Sequence, residues 1–144
     1  MVRASYLQIY NENISDLLKV ERTSLQIRED RKKGVFVEGL SEWAVRSPNE
    51  IYSLMQRGAL SRATASTKMN DMSSRSHAVF LIIVEQMSTL DLEGGEEQYR
   101  ARGEADPPKA VRVGKLNLVD LAGCERVRVT GATGKRLDES KKIN

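Results

Sequence analysis

The chain has 144 residues, enough for one domain with a real core and too few for two. A net charge of +3 is too small to argue for nucleic acid, and no apolar run approaches the roughly 18 residues of a membrane span. One cysteine and one histidine exclude an internal disulfide and a Cys-rich zinc site.

The first residues lack the layout of a signal peptide, so an intracellular protein is the default expectation. Residues 3–10 predict a strand. Tyr6, Leu7, Ile9 and Tyr10 put bulk on both faces, which suits a central position in a sheet. Residues 13–18 predict a short helix capped by Asn13, with Asp16 in its first turn. Residues 25–28 and 35–37 alternate like two short strands around a charged turn, 29–34, that ends in Gly34. Residues 43–45 suggest a third short strand, with Trp43 in core or edge packing.

Ser47-Pro48-Asn49-Glu50 is a helix start: a cap, a proline at the first helical position and a capping-box acid. Ile51, Leu54, Met55 and Ala59 then recur at helical spacing and predict the core-facing stripe. Residues 67–76 read as a polar loop and 78–87 as a long apolar strand. Residues 88–112 hold Gly94-Gly95 and Pro107-Pro108 without apolar periodicity and read as a long surface connection. Residues 113–121 predict another strand, 126–135 a basic loop and 137–144 the start of a helix.

Two stretches carry chemistry. Leu116-Asn117-Leu118-Val119-Asp120-Leu121-Ala122-Gly123-Cys124-Glu125 is an apolar strand that stops at an acid, then a glycine, then a second acid. Such a strand can hold a carboxylate at a sheet edge, where a metal-bound phosphate meets it. The same pair, Asp and Gly, is also simply a good turn. Met69-Asn70-Asp71-Met72-Ser73-Ser74-Arg75-Ser76-His77 supplies compact hydroxyls and one fixed positive charge just before a strand. Hydroxyls of this kind can ligate Mg²⁺, and the arginine can grip a terminal phosphate.

Asn70-x-x-Ser73-Ser74-Arg75-Ser76-His77 and Asp120-Leu121-Ala122-Gly123-Cys124-Glu125 resemble switch I and switch II of the kinesin motor domain. Ser5-Tyr6-Leu7-Gln8-Ile9-Tyr10-Asn11-Glu12 is similar to the kinesin strand before the switches. Thr130-Gly131-Ala132-Thr133-Gly134 and Leu137-Asp138-Glu139-Ser140-Lys141-Lys142-Ile143-Asn144 resemble the loop and helix after switch II. Four motifs in order span nearly the whole chain. Myosins share the Ser-Ser-Arg but follow it with an aromatic and Gly where Ser76-His77 stand, and small GTPases need an Asn-Lys-x-Asp motif that does not occur.

The resemblance implies an α/β fold, part of the kinesin-type P-loop NTPase: a central mostly parallel or mixed β-sheet flanked by helices, incomplete here. Residues 1–87 would supply strands, the capped helix and switch I. Residues 88–112 would be the long surface loop, and 113–144 the switch II strand, basic loop and truncated helix. It implies ATP and Mg²⁺ as cofactors. Ser76 would ligate the metal and Asp120 would hold it through water. Gly123 would offer its backbone N–H to the γ-phosphate, and Ser73 would line the nucleotide. Ser74 and Asn70 would orient the attacking water and phosphate oxygens. Arg75 and Glu125 would form the ion pair that closes the switches. Cys124 stands where the family more often has Ser, and a buried, inert thiol is the better reading. His77 is given no catalytic role.

Kinesins meet the acidic microtubule through basic residues. Here these would be Arg126, Arg128, Lys135, Arg136, Lys141 and Lys142, with Arg31, Lys32 and Lys33 as a second contact. The expected location is the cytoplasm, on the microtubule cytoskeleton. No membrane or nucleic-acid partner is implied.

Phosphoryl transfer in P-loop proteins needs Gly-x-x-x-x-Gly-Lys-Ser/Thr, and these 144 residues contain none. Gly131-Ala132-Thr133-Gly134-Lys135-Arg136 has too short a glycine spacing and an arginine at the hydroxyl position. The expectation is an internal fragment of a microtubule motor that couples ATP hydrolysis to movement, with little activity alone. Uncovered sheet edges would favour self-association of the fragment. The alternative is a non-catalytic tubulin-binding or scaffold protein derived from a kinesin.

Overall fold

The computed structural model describes residues 1–31, 34–64, 73–89 and 109–123. Among these residues seven strands and one helix follow in chain order: β1 (Val2–Tyr10), β2 (Asn13–Asp16), β3 (Gln26–Asp30), β4 (Gly34–Glu38), β5 (Trp43–Val45), α1 (Pro48–Thr64), β6 (His77–Thr89) and β7 (Lys109–Asp120). A 3-10 turn, Ser73–Arg75, leads into β6.

β1 is the centre of a five-stranded sheet of order β2-β1-β6-β7. One edge of β1 is shared by β5, from Val2↔Val45 to Ala4↔Trp43, and β2, from Leu7↔Asp16 to Tyr10↔Asn13. The other edge pairs with β6 from Val2↔Val84 to Ile9↔His77. β6 and β7 form a long hairpin register, Ala78↔Asp120 to Thr89↔Lys109. The α/β class stands, and the central place of β1 is as its two-sided bulk predicts. Every pairing among the described strands is antiparallel, where a mostly parallel or mixed sheet was expected, because these neighbours pair by running back along each other. β3 and β4 pair apart from this sheet as a largely exposed ribbon, with Gly34 at a φ of 71° closing its turn.

The expected helix at 13–18 is instead strand β2 and a turn. Asn11 and Glu12 both take positive φ, 51° and 64°, between the paired residues Tyr10 and Asn13. Two left-handed residues make the tight turn whose twist suits a hairpin, so the chain reverses into a strand before a helix can nucleate. Asp16, assigned to a helix turn by sequence, is buried and accepts three backbone N–H groups: Leu18 (2.8 Å) and Lys19 (3.0 Å) on Oδ1, and Ser41 (2.8 Å) on Oδ2. It ties the turn after β2 to the segment before β5.

α1 starts where its capping signals put it. Ser47 Oγ accepts the N–H of Glu50 at 3.3 Å, and the Glu50 carboxylate reaches back to the N–H of Arg46 at 2.9 Å. Ile51, Leu54 and Met55 pack on the core of Ala4, Val45 and Phe80. Ala59 does not continue that stripe and is exposed. The helix instead buries Gly58 and Arg62. The reason is Tyr6, whose ring lies directly against Gly58. A Cβ built on Gly58 would sit 2.6 Å from Tyr6 Cε1 and closer still to Cδ1. Tyr6 in turn meets Phe80 edge to face, with centroids 5.2 Å apart.

β6 and β7 run further than sequence suggests, taking both ends of the expected surface loop. Residues 90–108 lie outside the described set. Among the described strands β7 is the outer one of its sheet, and it exposes Val111, Val113, Leu116, Leu118 and Val119.

Candidate functional site

Two sequence-distant segments meet at one end of the β6–β7 pair. Ser76 immediately precedes β6, and Asp120 closes β7 opposite Ala78. Antiparallel register therefore sets the hydroxyl and the carboxylate at the same sheet end, although 44 positions separate them in the chain.

Between them lies Arg62, which no motif had singled out. Its Nε donates to Ser76 Oγ at 3.1 Å, Nη2 to the Ser76 carbonyl at 2.7 Å and Nη1 to Asp120 Oδ2 at 2.6 Å. Ser76 is fully buried and Arg62 is 7% exposed, whereas the Asp120 side chain is 70% exposed. A buried guanidinium is tolerable only when its donors are satisfied, and the serine and aspartate accept from it here. The signal in sequence was present but faint. Ile51, Leu54, Met55, Gly58 and Arg62 fall on one helical face, so that face ends in a charge that needs a partner. An arginine in the last turn also suits the helix dipole, which made a solvated reading natural.

The segments also latch by backbone. The Gly123 N–H donates to the Ser74 carbonyl at 2.8 Å. The Ala122 N–H donates to His77 Nδ1 at 3.1 Å, so that nitrogen carries no proton and His77 clasps the opposite loop. His77, given no catalytic role from sequence, thus takes a structural one. The Gly123 N–H, expected to face a phosphate, is held here by Ser74. Tyr6 lies within the field of the same charges. Burial raises its phenol above the usual value, Arg62 opposes this and Asp120 adds to it.

Of the residues singled out by sequence, Ser74, Ser76, Asp120 and Gly123 are brought together. Ser73 and Arg75 bound the 3-10 turn beside them. Asn70, Glu125, Lys32, Lys33, Arg126, Arg128, Lys135, Arg136, Lys141 and Lys142 lie outside the described residues, and the Arg75–Glu125 pairing with them. Arg31 is exposed at the tip of the β3–β4 ribbon.

The donor set fits Mg²⁺. Hydroxyl and carboxylate oxygens are the hard ligands this ion takes, and both already converge on one cationic group. Among the described residues no cluster of three or more His, Cys, Asp or Glu side chains could hold a metal.

The family model for the kinesin motor domain matches residues 1–144. The mouse kinesin-like protein KIF13A is 49% identical over 145 residues, covering 99% of this chain and 8% of that protein. Kinesin-like protein KIN-7O of Arabidopsis thaliana is 46% identical over 144 residues, covering 100% of this chain and 11% of its own length. The kinesin heavy chain of Neurospora crassa is 43% identical over 143 residues, with 99% and 14% covered. The chain thus spans a small part of the curated relatives it matches. Two solved structures superpose on it. A fast kinesin, described for its ATPase mechanism and interactions with microtubules, gives a TM-score of 0.74 at 42% identity, covering 99% of this chain and 35% of that one. A KIF14 dimer with AMP-PNP in complex with a microtubule gives 0.75 at 37%, covering 99% and 38%.

Proposed function

The chain belongs to the kinesin motor domain family, and on that premise we propose that the protein is a microtubule-stimulated ATPase working in the cytoplasm along microtubules. In this reading residues 73–76 and 120–123 sense the nucleotide. The observation that carries it is the convergence of Ser76 Oγ and the Asp120 carboxylate on one buried cation, Arg62.

Ser76 and Asp120 would hold Mg²⁺, the latter through water. When bound, the ion offsets charge on the phosphates. Arg62 occupies the same two oxygens and so competes for them, holding the strand ends together when they serve no metal. The Gly123 N–H has one proton to give. A terminal phosphate and the Ser74 carbonyl compete for it, so phosphate arrival and release change how the two loops are joined. Ser74 and Asn70 would orient the attacking water. Arg75 and Glu125 would close the site as an ion pair, and Ser73 would line it. The exposed Arg31, with Lys32, Lys33, Arg126, Arg128, Lys135, Arg136, Lys141 and Lys142, would face acidic tubulin.

The test is ATP hydrolysis by the complete protein with and without microtubules. Stimulation by microtubules supports the reading, and co-sedimentation without hydrolysis supports a non-catalytic binder. These 144 residues alone contain no Gly-x-x-x-x-Gly-Lys-Ser/Thr segment and are expected to hydrolyse little ATP.

A further inference from the structure

Arg62 reaches three oxygens, two on Ser76 just before β6 and one on Asp120 at the end of β7, so its aim depends on where α1 sits over the sheet. Ile51, Leu54 and Met55 seat the first turns of the helix on the core, and one further contact seats it near Arg62. Gly58 lies one helical turn before Arg62 on the same face, about 6 Å along the axis. The Tyr6 ring lies against it, where a Cβ would come within 2.6 Å of Cε1. The ring has little room to yield, because Phe80, a fully buried core residue, holds it edge to face at 5.2 Å. β1 and β6 are paired directly at these two residues, Tyr6↔Phe80. Four positions before Phe80 is Ser76, an acceptor of Arg62. The chain of contacts is thus closed: Ser76 and Phe80 on one segment, Tyr6 beside Phe80, Gly58 on Tyr6, and Arg62 back onto Ser76.

We infer that Tyr6 and Gly58 are positioning residues that set the Arg62 guanidinium between Ser76 and Asp120, and that through Arg62 they set how readily the site exchanges Mg²⁺-nucleotide. This inference rests on the metal-site reading above. The ring, not the hydroxyl, does the positioning, since the close approach is at Cδ1 and Cε1. A methyl at position 58 lifts the helix from the sheet and draws Arg62 away from its two acceptors. A smaller side chain at position 6 makes room for that methyl.

The experiment uses the complete protein loaded with a fluorescent ADP analogue. Nucleotide retention is followed against free Mg²⁺, and thermal unfolding is recorded alongside. Arg62→Met removes the competing cation and is expected to lower the half-saturating Mg²⁺ by roughly tenfold, the worth of one charge-assisted hydrogen bond. Gly58→Ala is expected to shift it the same way by about threefold, and Tyr6→Val on its own to do likewise. Tyr6→Val with Gly58→Ala is expected to lie closer to wild type than either single variant, and Tyr6→Phe to match wild type. A double variant that shows the sum of the two single effects overturns the inference. So do single variants that unfold earlier but keep the wild-type Mg²⁺ dependence while Arg62→Met shifts it, in which case the metal-site reading survives. Unchanged Mg²⁺ dependence in Arg62→Met removes both. If Gly58→Ala does not fold, Tyr6→Val against Tyr6→Phe decides the matter.

Discussion

Arg62 donates from Nη1 to Asp120 Oδ2 at 2.6 Å, joining the end of α1 to the end of β7 across 58 positions of sequence. The two ends of this ion pair differ in burial, 9% against 70% side-chain exposure. Water therefore screens the aspartate, and the pair adds little to folding. Asp120→Asn is expected to lower stability by under about 1 kcal/mol, since the amide oxygen still accepts from Arg62. Urea unfolding checks this, and a loss several times larger would mark the pair as structural first.

Asp16 presents the opposite case. It is 2% exposed and its two oxygens take three backbone N–H groups. Asp16→Ala leaves those donors unpaired and is expected to cost about 3 kcal/mol or more. Asp16→Asn keeps one acceptor but can turn an amide N–H toward one of the donors, for a loss of about 1–2 kcal/mol. The order wild type, Asn, Ala in thermal unfolding checks the assignment.

These two acids show what sequence did and did not reveal. Asp120 stood at the end of an apolar run and before a glycine, so a strand-end carboxylate was legible locally. The role of Asp16 depends on Ser41, 25 positions away, and on a hairpin turn at Asn11–Glu12 whose left-handed pair lacks the usual glycine. Local pattern therefore suggested the first turn of a helix capped by Asn13. The same holds for Arg62. Its helical face was visible, but its acceptors come from two strand ends that only the sheet register brings together. Trp43 was read as packing, and it does pack. Arg57 lies over its ring at 4.8 Å, while its indole N–H donates to Ser41 Oγ at 3.0 Å.

At the start of α1, Ser47 Oγ accepts from Glu50 N–H. Ser47→Ala is expected to cost about 1 kcal/mol, and Ser47→Asp to restore it, because a carboxylate also accepts from this N–H and complements the helix dipole. Helix content and melting temperature across the three proteins check this.

Tyr6 gives stability a pH dependence. Burial raises its phenol above 10.0, with Arg62 opposing and Asp120 adding. The folded chain thus holds this proton more tightly than the unfolded one. Its contribution is intact below the unfolded value of 10.0 and is lost as pH rises through the higher folded value. Between about pH 9 and pH 11, the unfolding free energy of wild type is expected to fall more steeply than that of Tyr6→Phe, which has no proton to lose.

If residues 73–76 and 120–123 meet around one metal-bound triphosphate, as proposed, microtubule-stimulated ATP hydrolysis by the complete protein carrying Asp120→Asn reports on it at once. A rate lower by roughly a hundredfold or more with the fold intact is expected, since Asp120 would hold the metal ion that offsets charge on the phosphates. A variant that hydrolyses ATP within about twofold of wild type would contradict this role, because weakening the hold on such an ion should cost far more.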